Sequence, residues 1–285
     1  MNLDYLKLHY NEASFKGAHN SYQRDETIIE QITWHENAPY DAGCRAVELD
    51  ISQSDNGLEW SVGHKSSYDT NYRQLSQFLS ELQVWSRNNP DHDVITLYLD
   101  LKHVATSTFP SQLDQYICDY LGDYLGDKSP RSAFYTPGQL MGECTSVPEG
   151  ARTNGWPTLG ALRNQFIVCL TGNAQDKATY AATSPKERLC FADQDESEGS
   201  APSSADRVFF NYHLFSNDAD TWGPVFKAAS TRQDAIIRGY VLDGESLWNK
   251  ALAAGCHVLA TDKIKGHQWA KVGNEPFVKL KPLNG

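Results

Sequence analysis

The sequence predicts an α/β fold, a single (β/α)8 barrel of the TIM type spanning 1–285, on three observations. Short runs rich in β-branched and apolar residues alternate with segments of helical periodicity, the pattern of a parallel sheet covered by helices. The length of 285 residues suits one barrel folding as a unit. No G-x-G-x-x-G follows any strand, which leaves an open doubly wound sheet as the weaker alternative.

Taken in order, the first strand ends in KGAHNSYQ (16–23), where an apolar run of Ala13, Phe15, Gly17 and Ala18 breaks into a loop at His19 and Asn20. RAVELDI (45–51) is the next strand, and SVGHKSSYD places His64 in a loop after a short extended run. Leu75, Phe78, Leu79, Leu82 and Trp85 recur at three- and four-residue steps, the stripe of a helix facing a sheet. NNPDHD ends that helix, and DVITLYLDL (93–101) is a clear strand. QFIVCLTG (165–172), RVFFNYHLF (207–215), AIIRGYVLD (235–243) and HVLATDKI (257–264) continue the series. ESLWNKALAAG (245–255) is a helix closed by glycine. The acidic, serine-rich stretch 193–207 predicts a solvated surface loop. No repeat or linker divides the chain, so one domain is expected.

Composition narrows the partners. With 40% apolar residues the chain can bury a full core, and a formal charge of −11 argues against nucleic acid and against strong attraction to anionic membranes. No run approaches the roughly 20 apolar residues of a membrane span. The N-terminus carries acidic residues and no long apolar stretch; the expectation is a secreted or extracytoplasmic monomer whose leader has been removed. The six cysteines lack C-x-x-C spacing, and Cys118 with Cys144 is the one pair considered for a bridge.

The chemistry gathers on strand ends. Glu48 and Asp50 stand two apart on one strand, so their carboxylates share a face, which in a barrel is the interior. Asp100 and Lys102 repeat that spacing. Crowded carboxylates repel, so neutralising Glu48 is expected to relieve the cluster, and a divalent cation does the same. Adding the amide oxygen of Asn20 gives an all-oxygen ligand set suited to Ca²⁺, with Mg²⁺ second. Lys102 is the one cation these motifs supply beside the acids. Two imidazoles, His19 and His64, complete equipment for phosphoryl transfer. Each piece also has a plain reading: E-x-D as an alternating edge strand, Lys102 as an ion-pair partner of Asp100. His9, His35, His92, His103, His213, His257 and His267 are read as structural or surface residues.

GAHNSY, DAGCRAVELDI, VGH and VITLYLDLK, in that order, resemble the calcium-dependent phosphoinositide phospholipase C family, in its bacterial phosphodiesterase branch. GWPTLGALRNQFIVCL and AGCHVLATD are loosely similar further on. The resemblance implies that Asn20, Glu48, Asp50 and Asp100 hold Ca²⁺, Asp100 standing where many members carry Glu. It implies Glu48 as acceptor of the inositol 2-hydroxyl proton, His19 as hydrogen-bond donor to the transition state, and His64 as general acid. Lys102 would contact a headgroup phosphate or hydroxyl, and Tyr240 or Asp262 are candidates for the inositol hydroxyls. The substrate would be a phosphoinositide lipid or soluble inositol phosphodiester, with transient membrane contact. The rivals are a glycerophosphodiester phosphodiesterase or sphingomyelinase-like lipase of the same superfamily, and a catalytically silent lipid- or carbohydrate-binding barrel.

Overall fold

The computed structural model describes residues 4–33, 43–123, 129–195, 198, 207–214, 232 and 234–280. The barrel strands are β1 (Ala13–Ala18), β2 (Ala46–Gln53), β4 (Ile95–His103), β5 (Phe166–Gly172), β6 (Phe191–Asp195), β7 (Phe209–His213), β8 (Ile236–Tyr240) and β9 (Val258–Thr261). These eight run parallel and close in that order, β9 returning to β1. Two short strands extend the rim antiparallel: β3 (Trp60–Val62) on β2 and β10 (Phe277–Lys279) on β1.

The seam between β1 and β2 is thin, Gly17 pairing with Ala46 and the Arg45 amide donating to Lys16 O at 2.8 Å. Gly17 permits the approach. A Cβ there would sit 3.1 Å from Val258, 3.3 Å from Ala46 and 3.4 Å from Ala260, tighter than ordinary packing.

Side-chain alternation sorts each strand into two layers. Val47, Leu49, Leu97, Leu99, Val168 and Leu170 face outward, packing on α1 (Leu75–Asn88) and α2 (Phe109–Leu121). Phe15, Ala46, Tyr98, Ile167, Cys169, Phe191, Phe209, Ile236 and Val258 fill the lower interior, capped by Tyr10 and Trp156. A third cluster lies behind β7–β9, where Trp248 and Leu247 of the helix at Glu245–Ala253 meet Ile237 and Leu259. The inward residues nearer the strand C-termini are polar, and there the cavity opens.

Every strand expected from sequence is present, most displaced by a residue or two at their ends. Phe215, the last residue of one expected strand, lies outside the described residues, as does His35. The expected loop at 193–207 is corrected at its start. Asp193, Gln194 and Asp195 belong to β6, and Asp193 is fully buried. Charge density pointed to solvent, but the counter-charge comes from elsewhere: Lys177, on the helix Ala174–Ala182, lies 2.7 Å from Asp193 and 2.9 Å from Asp195. The rest of that stretch, apart from Glu198 and Arg207, lies outside the described residues. All six cysteines are free, so Cys118 and Cys144 are not bridged. No helix among the described residues is long and apolar enough to cross a membrane.

Candidate active site

β2 and β4 are paired so that Asp50 lies beside Asp100 and Glu48 beside Tyr98. Inward parity then brings Glu48, Asp50 and Asp100 together, their oxygens within 4.8 Å of one another. They line or underlie a cavity of about 380 Å³ shared with His19, Asn20, His64, Lys102, Thr171, Gly172, Asn173, Asp195, Asn211 and Tyr240. The expected ligand and catalytic residues, His19, Asn20, Glu48, Asp50, His64, Asp100 and Lys102, are in this one place.

Asn20 is held in the left-handed region at φ 46°, a conformation asparagine tolerates better than most residues. That turn aims its backbone N–H at Glu48 Oε2, 3.1 Å away. The same oxygen receives Arg238 Nη2 at 2.7 Å and faces His19 Nε2 at 3.9 Å. Burial opposes ionisation of Glu48, but Arg238, His19 and the Asn20 amide outweigh it and hold its carboxyl below the usual range. This corrects the expected electrostatics. Lys102 is not the sole cation beside the acids, and neutralising Glu48 would strand a guanidinium only 1% exposed instead of relieving repulsion. IIRGYV carried the signal. An arginine inside an apolar strand run needs a buried partner, and here it also donates to Asn211 Oδ1 at 2.9 Å.

Asp50 is equally committed on one side. Its Oδ2 accepts from Tyr22 at 2.9 Å, from His64 Nδ1 at 2.6 Å and from Lys102 at 3.3 Å. Lys102 also reaches Asp100 Oδ2 at 2.9 Å. Burial and the neighbouring Asp50 and Glu48 push Asp100 up to about 6, against the opposing pull of Lys102. Burial lowers the Lys102 ammonium, but Asp100 and Asp50 more than compensate and raise it.

Two features show that the cluster fits a cation. Asp100 Oδ1 is buried without a hydrogen-bond partner. Gly172 ends β5 at φ +91°, and a Cβ there would collide with that same oxygen, so the space beside it is kept open. The donor set is entirely oxygen, which suits Ca²⁺. A second acid group, Asp193, Asp195 and Glu198, has comparable spacing, but Lys177 occupies it, 2.5 Å from Glu198.

The two histidines are fixed differently. His19 Nδ1 pairs with Asp262 Oδ1 at 3.0 Å, and Arg24 holds the same oxygen at 3.0 Å. Burial raises the Asp262 carboxyl, but His19 and Arg24 together hold it low. Asp262, a candidate for headgroup hydroxyls, thus orients His19, leaving Nε2 facing the cavity. His64 sits half exposed at the rim with Nδ1 on Asp50, so Nε2 is its outward nitrogen. Tyr240 presents its ring between His19, at 5.5 Å, and His213, at 4.7 Å, above Arg238.

A parallel barrel with an all-oxygen acid cluster and two histidines at its C-terminal mouth defines a metal-dependent phosphodiesterase. The family model of Ca²⁺-dependent phosphoinositide phospholipase C matches residues 62–271, and the chain belongs to that family. It is an enzyme of the phosphodiesterase class, and calcium is its cofactor. His19, Asn20, Glu48 and Asp50 precede the matched segment. Among solved structures, the calcium-dependent phosphoinositol-specific phospholipase C of a Pseudomonas species, as its myo-inositol complex, is 17% identical over 99% of this chain and 98% of that one, with a TM-score of 0.71. The calcium-dependent phosphatidylinositol-specific enzyme of Streptomyces antibioticus is 19% identical over 89% and 94%, TM-score 0.65. The phosphatidylinositol-specific enzyme of Listeria monocytogenes is 14% identical over 93% and 92%, TM-score 0.53. These likenesses show the fold. No curated protein matches the chain.

Proposed function

We propose that this phospholipase C cleaves phosphatidylinositol-type diesters by attack of the headgroup 2-hydroxyl on phosphorus, giving diacylglycerol and a cyclic inositol phosphate. Convergence of three carboxylates and two oriented histidines on one cavity carries the reading. Asn20, Glu48, Asp50 and Asp100 would hold Ca²⁺, which when bound neutralises phosphate charge and acidifies the hydroxyl. Glu48 accepts the hydroxyl proton. Kept ionised by Arg238, it is always available but weakly basic, so it depends on that acidification. His19, held through Nδ1 by Asp262, directs Nε2 at the equatorial phosphate oxygens as charge builds there. His64 delivers a proton from Nε2 to the departing glycerol oxygen, with Asp50 steadying the imidazolium that donates it. As the bond from the inositol 2-oxygen to phosphorus forms, the bond from phosphorus to the glycerol oxygen breaks, its electron pair staying on that oxygen, which takes the His64 proton.

Tyr240 offers an aromatic face to the inositol ring, and Asn173 on the cavity wall offers hydrogen bonds to its hydroxyls. An extracytoplasmic setting, where calcium is abundant, belongs to the same reading.

Turnover of phosphatidylinositol, phosphatidylcholine and sphingomyelin across a calcium titration, with products followed by ³¹P NMR, tests it. Calcium-dependent cyclic phosphate from the inositol lipid alone is the expected result. Choline-lipid turnover at equal rate, or turnover undiminished in chelator, would overturn it.

A further inference from the structure

We propose that Lys102 is an internal counter-ion that competes with Ca²⁺ for the acid cluster and, once displaced, lends its ammonium to the substrate phosphate. This rests on the site reading above and names the residue that sets its metal affinity. Nζ lies 2.9 Å from Asp100 Oδ2 and 3.3 Å from Asp50 Oδ2, bridging two carboxylates that face each other in the β2–β4 register. Those are two of the three acids a cation must use. A monovalent ammonium and a divalent ion a few ångströms apart repel, so filling the cluster with calcium moves Lys102 out.

Three observations say that it can move. Its side chain is 27% exposed, on a stem that borders the cavity, whereas Lys177, the lysine on the second acid group, is fully buried. Asp100 Oδ1 stays without a partner, so the ammonium leaves the cluster unsatisfied. Glu48 is bound to Arg238 and gives Lys102 no third anchor. Among the described residues lining the cavity, Lys102 is the only lysine or arginine. The displaced ammonium therefore meets the anionic group the substrate places beside the metal, its phosphodiester.

Two consequences follow. Calcium binds more weakly than to the bare carboxylates, since it must expel a resident charge. Calcium and phosphate also favour the same displaced lysine, so each tightens the other reciprocally.

Calorimetric titration of Ca²⁺ into the full chain, without lipid and then with inositol 1-phosphate, reads both. Lys102→Met is expected to bind calcium at least tenfold tighter than the unmutated chain, while Lys102→Arg, which keeps the charge, binds no tighter. Inositol 1-phosphate should tighten calcium at least threefold more in the unmutated chain than in Lys102→Met. Lys102→Gln serves if the methionine variant folds poorly. Equal or weaker calcium binding by the uncharged variants, or Arg matching Met, would overturn the proposal while leaving the metal site standing. An unmutated chain that binds no calcium and turns over in chelator would overturn both.

Discussion

Asp100 gives the sharpest stability test, because its cost to the fold reverses sign when calcium is added. Burial and two neighbouring carboxylates raise its pKa from 3.8 to about 6, so ionising it opposes folding. The sign follows from linkage. A carboxyl with a raised folded pKa costs nothing below its unfolded value near 4, an increasing amount between 4 and 6, and a constant amount above. A displacement of about two units is worth on the order of 3 kcal/mol at 1.36 kcal/mol per unit. For a chain of 285 residues the unfolding entropy is about 0.6 kcal/mol/K, so that cost corresponds to about 5 °C in Tm.

Asp100→Asn keeps the shape and removes the charge. In chelator at pH 8 it should melt about 5 °C above the unmutated protein, the gap closing as pH falls towards 4. Calcium inverts the order. At about 1,000 times Kd the unmutated chain gains roughly 4.1 kcal/mol, or about 7 °C, while the variant, short of a ligand charge, gains little. The calcium increment should also shrink as pH falls through 6, where a proton competes for Asp100. Differential scanning fluorimetry over pH 4–8, with chelator or calcium, reads every arm. A variant that is less stable in chelator at pH 8, or that responds to calcium as fully as the unmutated chain, would refute the placement of Asp100 in a crowded metal cluster.

Glu48→Gln should abolish turnover of phosphatidylinositol and also lower stability by a few kcal/mol, because it leaves Arg238 buried with a neutral partner; unchanged urea midpoints would show that the pair is unimportant. His64→Ala should be partly rescued on a substrate with a phenol-like leaving group, which departs without a proton, whereas His19→Ala should not; equal rescue of both would erase the distinction in roles. The cavity wall formed by Thr171, Asn173, Asn211 and Asp195 holds an acid and no lysine or arginine. A further phosphate on the headgroup, near −2 in charge, has no partner on that wall, so kcat/KM for phosphatidylinositol should exceed that for its 4,5-bisphosphate at least tenfold, and comparable values would contradict the wall's placement.

Much of this arrangement was legible because barrel geometry turns parity into position. Two residues apart on a strand means one face, and the inward face of a barrel strand near its C-terminus means the site; that logic placed Glu48, Asp50, Asp100 and Lys102 without coordinates. What it could not supply was cross-strand pairing. Arg238 lies 190 residues from Glu48, and Asp262 lies 243 residues from His19. Neither distance is encoded locally. The β6 error has the same origin: Asp193 and Asp195 look like solvent-facing acids until Lys177, from the preceding helix, is folded against them.

Among the described residues the barrel contains two triads of carboxylates, and their lysines explain why one of them is available to a metal. An ammonium has three N–H donors. Lys177 finds three acceptors, at 2.7 Å on Asp193, 2.9 Å on Asp195 and 2.5 Å on Glu198, within a site that excludes water from its side chain. Expelling it would bury an unpaired charge or pull the helix from β6, so that triad is permanently closed. Lys102 contacts two carboxylates, and the third, Glu48, is tied to an arginine that never reaches the cavity surface. An exposed stem lets it withdraw towards solvent without leaving a buried charge behind. The same chemical pair, lysine and carboxylates, is thus a structural clamp on one side of the barrel and an exchangeable occupant on the other. Burial and the number of acceptors decide which.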